Sequence, residues 1–302
     1  MQPAFLQQGD TIGIIATARF ITSEQWQYAK GVINSWGLKI KLAENVFKPS
    51  FQLAGNVEER TQSFLSLWKD NDVKALLVAR GGYGTIHTID EILPFLNNSK
   101  WICGYSDVTV LLNACTNKNI ACIHSTMPIS FEHATAEALE NLRRALFGES
   151  FLFEWNEKQI QTGNTEGKIV GGNLSVIYSQ LGSATQLKTE GKILFLEDVD
   201  EMLYHVDRML TALKRAGMFK NIQGLILGGF TQMRDNTEEF GFSSNNPWGK
   251  SLVEMILDIG LDCNVPVTMG FPAGHLNDNR AFYMGRNAEL IVNENSAQLS
   301  WK

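Results

Sequence analysis

The sequence predicts an α/β protein whose first half forms a parallel sheet with helices on both faces. Two observations carry that expectation. Apolar runs of strand length alternate with segments whose apolar residues recur at helical spacing, and turn or capping residues separate the two kinds of segment. A length of 302 residues with 44% apolar content also allows two domains of ordinary size.

The run Thr11-Ile-Gly-Ile-Ile-Ala-Thr17 reads as the first strand, followed by a helix over 23–36 that Gly37 terminates and by a second strand over 38–44. Asn56-Val-Glu-Glu59 has the form of a capping box with asparagine in first place. It opens a helix whose Phe64, Leu67 and Trp68 share a face, and a strand over 73–79 follows. Further strands over 101–105 and 120–124 and a helix over 135–147 complete this half. Strands separated by helices run parallel and bind ligands at their carboxyl ends, which makes the architecture Rossmann- or flavodoxin-like.

The polar stretch 156–166 has the composition of a linker, so the domains are expected at 1–155 and 167–302. Past it come Gly167-Lys-Ile-Val-Gly-Gly-Asn-Leu174, a strand over 192–197, and a helix carrying Val206, Met209, Leu210 and Leu213 that Gly217 ends. Strands over 224–230 and 266–271, a helix over 250–259 and a terminal strand pair near 288–292 and 298–301 follow.

The net charge of −6 comes from interspersed acids and favours neither nucleic acid nor an anionic membrane as partner. The first ten residues lack a basic leader and an apolar core, and no run of about 18 apolar residues occurs, so a cytoplasmic location is expected. Cys103, Cys115, Cys122 and Cys263 sit in apolar contexts without CxxC spacing and read as reduced core residues. With no HExxH and no clustered His/Cys spacing, neither a metal nor another cofactor is expected.

Chemistry is concentrated in Trp101-Ile-Cys-Gly-Tyr-Ser-Asp107, a buried strand that turns at Ser106 into the apolar helix beginning Val108-Thr-Val-Leu-Leu112. A serine on such a turn lifts its hydroxyl out of the sheet, with the next N–H aimed at a developing oxyanion. Ser106-Asp107 reads equally as a helix N-cap pair. A serine nucleophile needs a base, and the base an orienting acceptor. Of five histidines, His87, His133 and His205 lie in helical or polar surface contexts. His124 at a strand end and His275 in Met269-Gly-Phe-Pro-Ala-Gly-His275 remain as candidates. Glu197 ends its strand and opens the cluster Glu197-Asp-Val-Asp-Glu201, whose other acids read as caps of the next helix or as a solvated turn. The loop Arg80-Gly-Gly-Tyr-Gly84 follows a strand and can present N–H groups to an anion, but no Gly-Lys-Ser/Thr makes it a Walker sequence.

Taken in order, Gly9-Asp-Thr-Ile-Gly-Ile-Ile-Ala16, Ala79-Arg-Gly-Gly-Tyr-Gly84, Gly104-Tyr-Ser-Asp107, Gly167-Lys-Ile-Val-Gly-Gly-Asn-Leu174, Phe195-Leu-Glu-Asp198 and Gly270-Phe-Pro-Ala-Gly-His275 closely resemble the LD-carboxypeptidase family of serine peptidases. That family includes murein tetrapeptide carboxypeptidases and microcin C immunity peptidases. The resemblance spans about residues 8 to 295 and implies a smaller, largely β C-terminal domain, with the active site in a cleft between the domains. By motif, Ser106 would be the nucleophile, His275 the general base and Glu197 its orienting carboxylate. The N–H groups of Asp107 and Gly82 would form the oxyanion hole, and His124 would fall to a structural role.

The reaction so implied is release of a terminal D-amino acid, D-alanine, from a murein tetrapeptide, by a homodimer. Arg80 and Arg286 are candidates for the terminal carboxylate, with Tyr83 a further substrate contact. Two segments depart from the family's habit: Ala16-Thr-Ala-Arg19 where Ala-Pro-Ser-like residues are common, and His124-Ser-Thr-Met-Pro128 where His-Gly-Pro-Met is usual. The loop 231–250, with Trp248, reads either as a border of the cleft or as an anchor for the following helix; in the immunity branch an aromatic here would stack on a nucleotide. Alternative functions are an immunity-type hydrolase of a peptide–nucleotide amide and a noncatalytic protein that binds an anionic ligand.

Overall fold

A computed structural model describes residues 2–96, 100–262 and 264–301. The chain divides into two compact units, one comprising residues up to Phe151 together with Asn277–Arg286, the other Leu152–Leu276 with the residues from Asn287 onward.

The first unit contains β1 (Thr11–Ile15), α1 (Ser23–Ser35), β2 (Lys39–Leu42), the short pair β3 (Pro49–Ser50) and β4 (Leu53–Ala54), α2 (Val57–Lys69), β5 (Val73–Val78), α3 (Ile89–Ile92), β6 (Trp101–Gly104), α4 (Thr109–Asn117), β7 (Cys122–His124) and α5 (Ala136–Phe147). The second holds β8 (Leu152–Trp155), β9 (Gly163–Asn173), α6 (Leu174–Ser179), β10 (Lys192–Val199), α7 (Leu203–Arg215), β11 (Gly224–Thr231), α8 (Leu252–Leu257) and β12 (Val267–Thr268). β13 (Phe282–Met284) returns to the first unit, and β14 (Asn287–Val292) and β15 (Ala297–Trp301) belong to the second.

The first sheet has the order β13-β7-β6-β5-β1-β2; every pair is parallel except β13 with β7. Its inner strands are buried on both faces, which is why they read as unbroken apolar runs: Ile12, Ile14, Ile15, Leu76, Leu77, Val78 and Ile102 are all inaccessible. The expected capping box is present, with Asn56 accepting from the Glu59 N–H and the Glu59 carboxylate accepting from the Asn56 N–H. Phe64, Leu67 and Trp68 are buried on one face of α2.

The second sheet has the order β12-β11-β10-β9-β14-β15-β8, parallel from β12 to β9 and antiparallel beyond. Successive residues of a strand point to opposite faces. Leu194 and Leu196 of β10 accordingly pack with Ile177, Val206, Leu210, Leu213 and Met255 from the helices. Phe195 points the other way, into an aromatic cluster with Phe271, which also meets Phe153 and Trp155.

Three expectations change. Leu152–Trp155, placed with the first half by sequence, is the edge strand of the second sheet, paired with β15. The stretch 156–166 is no free linker: Gln159 and Gln161 hydrogen-bond Met269 and Val267, and β9 begins at Gly163. The strand expected over 266–271 shrinks to β12, because Gly270 takes a left-handed conformation (φ 77°) and Pro272 has no N–H to extend a ladder. Cys263 lies outside the described residues. Among the described residues, no helix is long and apolar enough to cross a membrane.

Replacing Asn56 by alanine removes the α2 cap and is expected to destabilise the first unit by about 1 kcal/mol. An unchanged urea midpoint, monitored on Trp68 fluorescence, would show that the cap contributes nothing.

Candidate active site

Ser106 follows β6 and opens a single 3-10 turn, Ser106–Val108, that leads into α4. Its φ of 63° lies in the left-handed region, which a serine occupies at a cost on the order of 1–3 kcal/mol. This geometry decides against the capping alternative. An N-cap residue is extended, and the N-cap positions here are Tyr105 and Val108, neither of which caps through its side chain. The half-buried serine faces the glycine-rich loop: a Cβ built on Gly81 would stand 3.5 Å from Ser106 Oγ.

Loop and turn are tied together by the neighbouring acid. Asp107 is almost wholly buried, and its Oδ2 accepts the Thr85 N–H at 3.0 Å. Burial pushes the Asp107 carboxyl up from its usual range; hydrogen bonds from Thr85 and Gly84 and the charge of buried Arg60 oppose that shift. Thr85 Oγ1 in turn meets Thr17 Oγ1, after β1, at 2.8 Å. Three neighbouring strands, β6, β5 and β1, thus have their carboxyl ends joined through one carboxylate and two threonines.

In the second unit, Glu197 lies near the carboxyl end of β10, fully buried, at an irregularity where the β10–β11 register shifts. Its Oε2 accepts from His275 twice, from Nδ1 at 2.7 Å and from the backbone N–H at 3.2 Å. With Nδ1–H committed to Glu197, the imidazole's Nε2 is the nitrogen left to take a proton. The loop that carries His275 is held from below. Phe271 fills the aromatic cluster, its N–H donates to Leu227, and Gly229 donates to Ala273 at 2.9 Å.

Glycine is required at two of these approaches. At Gly274 (φ 113°) a Cβ would stand 2.8 Å from Glu197 Oε2, and at Gly228 it would stand 2.4 Å from the Ala273 carbonyl oxygen. Desolvation works against the His275 cation, but the hydrogen bond and charge of Glu197, with help from Asp198, hold its pKa above the ordinary 6.5.

Comparison with known proteins gives the same family as the motifs. The LD-carboxypeptidase N-terminal domain model matches residues 12–125 and the LD-carboxypeptidase C-terminal domain model matches residues 166–290. A relative from Synechocystis sp. is 31% identical, covering 96% of this chain and 94% of its own. The chain belongs to the LD-carboxypeptidase family. It is thereby a serine-type peptidase. Another family relative, the "Probable murein peptide carboxypeptidase" of Bacillus subtilis, is 29% identical over 98% of this chain and 93% of its own. The crystal structure of muramoyltetrapeptide carboxypeptidase from Oxalobacter formigenes superposes with a TM-score of 0.85 at 26% identity, covering 96% of this chain and 98% of that one.

Other residues singled out by sequence have different surroundings. His124 is buried, stacked on Phe282 at 4.8 Å between ring centroids and tilted against Tyr105. Arg286 lies over the Tyr283 ring at 4.3 Å. It follows β13, whose Met284 pairs with Cys122 at the start of β7, so it stands at the amino ends of the parallel strands, opposite Ser106. It therefore cannot share a carboxylate with Arg80 beside the serine. Tyr83 is exposed and edges onto His87 at 5.2 Å.

The acids after Glu197 do not cap α7, whose N-cap is Met202: Asp200 pairs with Arg234 and Glu201 with His205. Asp198 instead accepts from Asn173 Nδ2 and the Ser175 N–H; burial, aided by the Glu197 charge, pushes it up to about 6. Burial raises the thiols of Cys103, Cys115 and Cys122, which removes them as nucleophiles. Trp248 is exposed, and its backbone N–H donates to Asp235 Oδ1. A cavity of about 680 Å³ near Gln223 and Asn221 opens at the amino ends of the second sheet's parallel strands, away from Glu197.

Sequence reasoning missed the Asp107 side chain, Gly228-Gly229 and Phe271. The Gly-Gly pair closing an apolar strand was the signal for the last two, since it marks a close backbone approach.

Two measurements test this geometry. Glu197→Gln removes the charge that holds the His275 cation against desolvation, so the imidazole pKa read by NMR is expected to fall; a value unchanged from the parent would separate the two residues electrostatically. Ser106→Gly relieves the left-handed strain and is expected to stabilise the protein by up to about 1 kcal/mol. A lowered thermal midpoint would contradict the strain.

Proposed function

We propose that the protein releases a terminal D-amino acid, D-alanine, from a murein tetrapeptide by cleaving the amide that joins it to an L-configured centre. Ser106 is the nucleophile, His275 the general base and Glu197 its orienting group. The observation that carries this reading is the 2.7 Å contact from His275 Nδ1 to buried Glu197, which prepares Nε2 for a serine hydroxyl. The strained turn at Ser106 supports it.

Ser106 Oγ attacks the carbonyl carbon while His275 Nε2 takes its proton, and the tetrahedral oxyanion is held by the N–H groups of Asp107 and Gly82. Collapse breaks the C–N bond, and the imidazolium gives its proton to the departing amine. His275 then deprotonates a water that attacks the acyl-enzyme, and the proton returns to Ser106 as the peptide leaves. Glu197 stabilises the imidazolium without taking its proton. The cytoplasmic location expected from the sequence and the homodimer implied by the resemblance belong to the same proposal.

Ser106→Ala is expected to lower D-alanine release from tetrapeptide by at least about 10⁴-fold while circular dichroism stays at the parent's. Because the base must be neutral and its pKa is raised, kcat/KM should fall as pH drops through an inflection above 6.5. Release at the parent rate by the alanine variant would sink the nucleophile assignment. A pH profile flat between 6 and 8 would sink the base.

A further inference from the structure

In the first sheet the chain goes from β1 outward to β2, then returns to place β5, β6 and β7 on the other side of β1. The strand order therefore reverses between β1 and β5, and in open α/β sheets a ligand crevice forms at such a point, outside the carboxyl ends. The loop after each of these two strands carries an arginine: Arg19 in Ala16-Thr-Ala-Arg19 and Arg80 in Ala79-Arg-Gly-Gly-Tyr-Gly84.

Side-chain geometry brings the pair together. Arg80 Nη1 reaches the carbonyl oxygen of Phe20, the residue after Arg19, at 3.5 Å. Arg19 lies across the glycine loop, its Cδ and Nε each 2.7 Å from where a Cβ on Gly82 would be; Gly81, the preceding residue, faces Ser106. Among the described residues, neither arginine forms an ion pair with any acid. Arg19 Nε is buried and without a hydrogen-bond partner. Both residues are half-buried. Two partly desolvated guanidinium groups held near each other with no counter-charge repel, and an anion seated between them removes that cost. The charge of Arg19, added to burial, pushes the Arg80 guanidinium down from its usual range.

We propose that Arg19 and Arg80 form a two-guanidinium subsite for the free carboxylate of the residue released from the peptide, with Arg19 as a specificity-determining residue. This rests on the reading that the substrate is a peptide cut at its last bond. It assigns the preference for a free chain end to a residue in a segment where this chain departs from its family's habit. A carboxylate held by two forks is fixed in direction as well as in place, which sets how far the scissile carbonyl stands from Ser106.

The test compares a tetrapeptide ending in D-alanine with the same peptide ending in D-alaninamide, using the parent, Arg19→Gln and Arg19→Lys. Losing one charged contact to a carboxylate is expected to raise KM for the acid about 10- to 100-fold. The amide, which lacks the charge, should lose less, so the acid-to-amide ratio of kcat/KM is expected to fall at least about 5-fold, and lysine should recover part of the acid preference. The amide arm separates recognition from damage, since a disturbed loop would slow both substrates. If Arg19→Gln keeps the parent's acid-to-amide ratio while the parent releases D-alanine, this inference fails and the peptidase reading stands. If the parent cleaves neither peptide, the peptidase reading fails, and calorimetric binding of acid against amide decides the subsite. Acid preference lost in Arg19→Gln supports it, and equal binding of both peptides by the parent overturns it.

Discussion

The hydrogen bond from His275 to Glu197 is the constraint around which the second unit is arranged. A carboxylate with no solvent exposure is costly unless donors surround it, and one oxygen of Glu197 takes both the imidazole and the backbone N–H of the same histidine. That double contact is possible only if the loop passes almost on top of the strand. Gly274 clears the carboxylate, Gly228 clears the Ala273 carbonyl, and Phe271 keeps the loop from lifting by filling the space beneath it. Each of these residues has an ordinary explanation by itself. Together they locate one ring nitrogen.

In the first unit the comparable role falls to Asp107. Its backbone follows the strained serine, while its side chain reaches sideways to the end of the glycine loop at Thr85. The acid therefore couples the position of Ser106 to that of the loop beside it. Its burial would disfavour the charged form, and the Thr85 and Gly84 donors with the Arg60 charge offset that penalty. The strain at Ser106 is sustained by the same surroundings: β6 enters the turn fully buried, and every residue of α4 from Thr109 to Thr116 is buried, so neither flank can relax.

How much of this was legible in the sequence follows from the range of the interactions. Local signals read well: the Asn56 cap, the glycine after α1 and the period of α7 each act within a few residues, and the structure has them where the spacing put them. The strand ends that carry Ser106 and Glu197 were readable as apolar runs, and the loop that carries His275 as a Gly/Pro-rich segment. Long-range pairings were not. Nothing in Leu152–Trp155 says that it pairs with the last strand of the chain, and nothing near β13 says that it closes the first sheet beside β7. Arg286 looked eligible for the substrate only because sequence does not say at which end of a sheet a residue stands. Asp107 was read for its N–H and not its side chain, because its partner Thr85 is 22 positions away.

Both units place the residues of the proposed reaction by one rule. Arg19, Arg80 and Ser106 follow the carboxyl ends of β1, β5 and β6; Glu197 lies near that end of β10, and His275 lies on the loop beyond β12. Parallel strands buried on both faces are the stiffest parts of such a fold, and a side chain at or shortly past their ends is held by that stiffness while gaining access. In each unit these strand ends carry departures from ordinary local preference. Ser106 is left-handed, Arg19 Nε is buried without an acceptor, and Glu197 Oε1 is buried without a donor. A fold selected for stability alone would remove such features, and substitutions to do so are simple. At these positions the departures belong to the residues to which the proposed reaction gives roles, and the strands that hold them, β1, β5, β6 and β10, are buried along nearly their whole length.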